Sequence, residues 1–128
     1  MDTKVKYWVD LAEYDLDTAE AMLAAKRYLY VGFMCHQAIE KAFKAAISNN
    51  ANVYPPKIHN LQRLARIAEV FPLLSSEQKG LMAQLEPLNI QARYPEYKDE
   101  LFQSLQGAYS KSLLAETKEL LQWIIQTL

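Results

Sequence analysis

The sequence predicts an all-α protein: an up-and-down bundle of four to five helices forming a single domain over residues 1–128. Three observations carry this. Apolar residues recur at spacings of three and four through nearly the whole chain. The gaps between these runs hold Asn and Pro, which stop helices. No stretch alternates apolar and polar residues over the length of a strand. The chain has 128 residues, 51% apolar and 23% charged, with a formal net charge of -1. That length suits one domain, with roughly two thirds of the unfolded surface buried on folding. The apolar share excludes a disordered chain. A lone cysteine, Cys35, excludes a disulfide-stapled secreted scaffold. Residues Met1 to Lys6 lead into an acidic amphipathic stretch rather than a signal core, and no apolar run approaches the ~20 residues needed to span a bilayer. A soluble cytoplasmic protein with no membrane contact is expected. A charge near zero does not suit nucleic-acid binding by overall charge, although a local patch can serve.

The first helix is expected over about residues 3–25. Val5, Trp8, Val9, Ala12, Leu16, Ala19 and Leu23 mark its inner face, and Asp10, Glu13, Asp17 and Glu20 the opposite one. Lys26-Arg27 closes it with positive charge, which suits the negative end of the helix dipole. The second helix, Tyr28 to Ser48, is apolar on two sides. Tyr30, Phe33, Met34, Ala38, Ala42 and Ala45 lie on one, and Val31, Cys35, Ile39, Phe43 and Ile47 on the other. A helix apolar most of the way round is central in its bundle or meets a partner chain. Its polar interruptions, His36, Gln37, Glu40, Lys41 and Lys44, are therefore informative.

Asn49 to Asn52 stops that helix, and Pro55-Pro56 enforces an extended crossover. A third helix is expected from about Ile58 to Val70, with Leu61, Leu64, Ala65 and Ala68 inward. Pro72 ends it. Ser75 to Gln78 reads as a capping box for a fourth helix, Ser76 to about Ile90, which Pro87 should kink or shorten. Ala92-Arg93-Tyr94-Pro95-Glu96-Tyr97 is a turn, because Pro95 pushes Tyr94 out of the helical region. The last helix covers about Leu101 to Thr127, with Leu105, Ala108, Tyr109, Leu113, Leu120, Ile124 and Leu128 inward.

Few constellations could carry chemistry. Three scattered glycines make no phosphate loop. Zinc is disfavoured, because adjacent Cys35 and His36 point about 100° apart on a helix. No metal or cofactor is expected. The basic residues Lys57, Arg63 and Arg66 make the region of the third helix the one positive segment, which reads as a solvated face or as a nucleic-acid contact. His36 and Glu40 share a helix face, as do Glu40 and Lys44, and the second is a favourable pair worth a few tenths of a kcal/mol. If Glu40 faces the bundle it needs a cationic partner to offset its desolvation. Arg93 between tyrosines on a proline-fixed turn suits a phosphate or a stacked base. The plainer alternative is that Arg93 bonds Glu40 or a helix end, with the rings as packing.

These residues carry a resemblance. Trp8, Ala12, Asp15-Leu16, Ala19 and Leu23, then Cys35-His36-Gln37-Ala38-Ile39-Glu40-Lys41-Ala42-Phe43-Lys44-Ala45, His59-Asn60-Leu61 with Leu64, and Ala92-Arg93-Tyr94-Pro95 together resemble the HEPN domain family. The resemblance implies a dimeric helical bundle like the substrate-binding domains of nucleotidyltransferases. It also implies a minimal nucleotidyltransferase as partner in a toxin–antitoxin pair, and a nucleotide or RNA as ligand. Some relatives are metal-independent ribonucleases that use an Arg followed, after four to six residues, by a His. Here those His positions hold Lys98, Asp99 and Glu100 after Arg93. They hold Gly32, Phe33 and Met34 after Arg27, Ala68, Glu69 and Val70 after Arg63, and Phe71, Pro72 and Leu73 after Arg66. None supplies the imidazole that metal-free RNA cleavage uses near neutral pH.

The reading is thus a HEPN-type component that binds nucleotide, RNA or a nucleotidyltransferase and forms a homodimer. Ligand binding is assigned to Arg93, Tyr94, Tyr97, Gln37, Glu40 and Lys41. One alternative is a ribonuclease toxin using Arg93 with His36 or His59 brought in from another helix or subunit. Another is a structural dimeric adaptor. For His59, beside the Pro-Pro turn, a structural hydrogen bond competes with catalysis.

Overall fold

The computed structural model of the chain describes residues 1–51, 53–91 and 107–128 and, of residues 90 and 91, the backbone alone. Among the described residues there are five α-helices and no strand: α1 Thr3–Ala24, α2 Tyr28–Ala51, α3 Leu61–Ile67, α4 Ser76–Gln91 and α5 Gly107–Gln126, with a 3-10 turn at Phe71–Leu73 between α3 and α4. No helix among them is long and apolar enough to cross a membrane. The all-α bundle expected from the apolar spacing is the fold observed.

Local chemistry sets the helix ends. The Asp2 carboxylate accepts the Lys4 backbone N–H at 2.7 Å and opens α1. At its other end Lys26 N–H donates to the Leu23 carbonyl at 3.0 Å and Arg27 N–H to the Met22 carbonyl at 2.8 Å, with Lys26 at φ 60. This is a Schellman closure. Lys26 and Arg27 therefore lie just past the last turn, and a left-handed residue, not their charge, ends the helix. Glu69, at φ 63, closes α3 in the same way, with Val70 N–H on the Ala65 carbonyl at 3.0 Å.

α3 is shorter than its apolar spacing suggests. Asn60 Oδ1 accepts the Arg63 N–H at 2.9 Å, so the helix starts after the cap and leaves Ile58 and His59 in the approach from the Pro-Pro crossover. The capping box of α4 is reciprocal, with Ser75 N–H donating to Gln78 Oε1 at 2.8 Å and Gln78 N–H to Ser75 Oγ at 3.1 Å. Pro87 does not shorten α4, which continues to Gln91. The lost backbone bond and ring clash cost about 3 kcal/mol, and the burial of Leu85 and Leu88 on either side offsets it.

α2 is the centre of the bundle and packs against each of the other four helices. Val5, Trp8 and Val9 of α1 meet Ala45 near the far end of α2, so the two helices form an antiparallel hairpin. Gly32 admits α4 closely, since a Cβ there would lie 2.6 Å from Leu88 Cδ1. On α5 the expected Leu113, Leu120 and Ile124 are buried, as are Leu114 and Leu121. Ala108 and Tyr109 are exposed instead of inward, because the first turn of α5 sits at the bundle's edge, where Tyr109 reaches Gln84 on α4 through its hydroxyl. Tyr30 at the start of α2 is likewise exposed. Leu105 lies outside the described residues.

Candidate functional site

A row of polar side chains runs along α2 at four-residue spacing: His36, Glu40, Lys44 and Ser48. All four are buried, at 0%, 2%, 7% and 4% exposure. A charge in that setting costs several kcal/mol unless it is matched. The matching is explicit. Glu40 Oε2 accepts from Lys44 Nζ at 3.2 Å, and Glu40 Oε1 lies 3.1 Å from His59 Nδ1. His36 Nε2 lies 3.3 Å from Glu86 Oε1 on α4. The other oxygen of Glu86 accepts the Leu61 backbone N–H at 2.8 Å, so this carboxylate ties α4 to the start of α3, where the helix dipole favours negative charge.

One atom in the row is left over. His36 Nδ1 is buried with no hydrogen-bond partner. Its approach to Glu40 Oε1, 3.9 Å, is too long for a hydrogen bond. The sharing of a face by His36 and Glu40 is thus real, without a direct bond between them.

Flanking the row, Gln37 Nε2 donates to Asn89 Oδ1 at 2.9 Å, and Lys41 pairs with Asp15 of α1. Counting Asp15, Glu40 and Glu86 against Lys41 and Lys44, carboxylates outnumber ammonium groups by three to two. The row is therefore no anion trap by itself, and positive charge for a phosphate must come from beside it.

Of the residues assigned to the site, the structure brings His36, Gln37, Glu40, Lys41 and His59 to the junction of α2 with α3, α4 and α1. His36 has no exposed surface, whereas the His59 side chain is 59% exposed. Arg93, Tyr94 and Tyr97 lie outside the described residues. Glu86 and Ser48 were not singled out in the sequence, and Asp15 was named only among the residues that carry the family resemblance. The four-residue spacing from His36 to Ser48 was the available signal for Ser48. For Glu86 no local signal exists.

Other candidates have definite surroundings. Cys35 is buried, and burial pushes its thiol up to about 12, against a smaller opposing effect of the Thr117 hydroxyl. It is no nucleophile near neutral pH. Among the described residues no group of three or more His, Cys, Asp or Glu is placed to hold a metal. Lys57, Arg63 and Arg66 are exposed. The Arg66 guanidinium lies 4.3 Å from the Phe71 ring centre and Lys79 Nζ 4.5 Å from it, beside a cleft of about 290 Å³ that Glu86 also lines.

An all-helical domain built round one helix with a buried, internally hydrogen-bonded polar row defines the class of protein. Its family follows from comparison: the HEPN domain matches residues 5–128, nearly the whole chain, and the protein belongs to the HEPN family, a helical family related to nucleotides and RNA. No characterised protein and no solved structure matched the chain at a significant level.

Proposed function

We propose that this protein is the binding member of a two-component, toxin–antitoxin-like system. It forms a homodimer through apolar helix faces and takes a nucleotide, an RNA or a minimal nucleotidyltransferase partner beside α2. One observation carries the reading. The polar row of α2 is hydrogen-bonded within the bundle and, of the two imidazoles beside it, only His59 reaches solvent, which is a layout for holding a ligand rather than for shuttling protons through several groups. Arg93, Tyr94 and Tyr97 add the positive charge and rings that the row lacks. The test is association of the purified protein with nucleotides, with single-stranded RNA and with a co-expressed minimal nucleotidyltransferase. Binding without turnover is expected, and failure of all three to bind ends the proposal.

A second reading rests on a different observation. His59 is exposed while its Nδ1 is held 3.1 Å from a buried carboxylate that Lys44 in turn holds. With the Nδ1 proton donated to Glu40, Nε2 is the basic nitrogen. It is able to take the 2′-hydroxyl proton of an RNA as that oxygen attacks the adjacent phosphorus, while the P–O5′ bond breaks, the 5′-oxygen leaves with a proton from water, and Arg93 steadies the phosphate charge. RNA cleavage that disappears in both His59→Ala and Arg93→Ala, with RNA binding retained in His59→Ala, would establish the ribonuclease. Intact RNA after long incubation leaves the binding role alone.

A further inference from the structure

The start of α1 and the segment after α2 carry three aromatic rings, Tyr7, Trp8 and Tyr54, beside the Lys44 end of the α2 row. Trp8 and Tyr7 meet edge-on, with ring centres 5.2 Å apart and planes at 82°. Trp8 and Tyr54 meet at 6.0 Å and 67°. Together with Thr3, Lys4 and Ser48 they line a cleft of about 340 Å³. That lies within the lower part of the size range of small-molecule sites. Tyr7 is 55% exposed and Tyr54 68%, over a Trp8 that is nearly covered.

The chemistry narrows the occupant. A cationic ligand is disfavoured, because Lys44 Nζ already stands 5.5 Å from the Trp8 ring centre and Lys4 lines the cleft. An anion gains little, since among the described residues Lys4 is the one charged side chain in the lining and Asp2 sits two residues away, bonded to the Lys4 backbone. A flat, neutral ring system fits: it can lie on an exposed tyrosine face, as bases do on aromatic platforms. A polar edge has a counterpart in Ser48 Oγ, whose bond to the Val53 carbonyl is long at 3.5 Å and exchangeable for one to a ligand. Through Lys44 the Trp8 floor is also continuous with Glu40 and His59.

We infer that Tyr7, Trp8 and Tyr54 form a stacking pocket for a nucleobase, belonging either to a free nucleotide or to an unpaired RNA residue. The inference rests on the nucleotide- or RNA-binding reading above and gives that ligand's base a place between the start of α1 and the segment after α2.

The experiment uses intrinsic fluorescence. In a Trp123→Phe background, with folding checked by circular dichroism, emission reports Trp8 alone. The titrants are adenosine 5′-monophosphate, a short single-stranded oligoadenylate and ribose 5-phosphate. Quenching by the first two and none by the third is expected. Tyr54→Ala should weaken both at least about fivefold, the low end of the stacking range, and Tyr54→Phe should restore them. Tighter binding of the oligomer marks RNA as the source, and equal binding marks the free nucleotide. If calorimetry shows nucleotide or RNA binding that Tyr7→Ala and Tyr54→Ala leave unchanged, the pocket assignment fails while the binding role stands. If only a nucleotidyltransferase binds, the nucleobase pocket is wrong and the partner role survives. If nothing binds, both fall.

Discussion

Two adjacent rows of α2 are almost equally buried and chemically opposite. Cys35, Ile39, Phe43 and Ile47 repeat every four residues at 0–1% exposure, and one position further round His36, Glu40, Lys44 and Ser48 repeat in the same way at 0–7%. The apolar row gains from leaving water in proportion to its area. The polar row must recover the hydration it loses through named partners, and one atom, His36 Nδ1, recovers nothing. Equal burial therefore does not mean equal purpose. A bundle of this kind could fill both rows with leucine, and a buried ion pair is often no more stabilising than apolar residues of the same volume.

The largest expected effects come from truncating either row, and they differ in how they add. Phe43→Ala should cost about 3–5 kcal/mol as transfer plus cavity. Glu40→Ala should cost a similar amount, about 3–5 kcal/mol, because it strands the Lys44 ammonium in the interior. Adding Lys44→Met to Glu40→Ala should then recover part of the loss, since the stranded charge is gone. Urea unfolding at neutral pH reads all three. A Glu40→Ala loss below about 1 kcal/mol would mean that water reaches the row and the contrast between the rows is false.

Converting one row into the other is the next test. The triple change His36→Leu, Glu40→Met, Lys44→Leu should leave stability unchanged or raise it by about 1–4 kcal/mol, because Glu86 and His59 are exposed enough to turn to solvent. The same variant should lose nucleotide and RNA binding. Raised stability with binding intact would assign the polar row no ligand role.

The apolar row contains its own titratable group. Burial raises the Cys35 thiol from 9.0 to about 12, so between these values the unfolded chain has released a proton that the native chain keeps. The unfolded state then binds fewer protons and stability falls with rising pH, by at most about 1.4 kcal/mol per unit. The contribution is fully present below pH 9 and is lost progressively towards pH 12. Tyr109, also raised by burial and by the nearby Glu116, acts in the same direction. Cys35→Ala should flatten the decline between pH 9 and 10.5. An unchanged slope would show that the decline belongs to other groups.

The apolar row was legible in the sequence and the polar row only half so. Periodicity identifies the core faces of α2 and α3, and Ser75 with Gln78 identifies the start of α4, because each signal is contained within a few residues of chain. The Glu40–Lys44 pair was legible for the same reason. Its need of a cationic partner once buried also followed from the sequence. Glu86 was not, since it meets His36 across 50 residues of sequence and its own neighbours Leu85 and Pro87 do not distinguish it from a solvated glutamate. Trp8 was read as core and is core, yet its contact with Tyr54 depends on where the chain emerges after α2. Helix ends set by left-handed Lys26 and Glu69 escaped for want of the glycine that usually marks them.

The smallest effect belongs to the pair on the flank, where burial is incomplete. Lys41 and Asp15 join α2 to α1, but their side chains are 19% and 10% exposed, against 9% and 3% for Lys44 and Glu40. A lysine at that depth reaches water with its ammonium by extending along the helix surface, so losing its partner does not strand it. Asp15→Asn keeps the shape and an acceptor oxygen and should cost about 1 kcal/mol, at the upper end of the range for partly exposed pairs. Glu40→Gln, the same exchange in the buried row, should cost at least twice as much. If the two losses are equal, depth does not decide what a charge on α2 is worth, and the buried row is held by partners better shielded than Lys44 and His59.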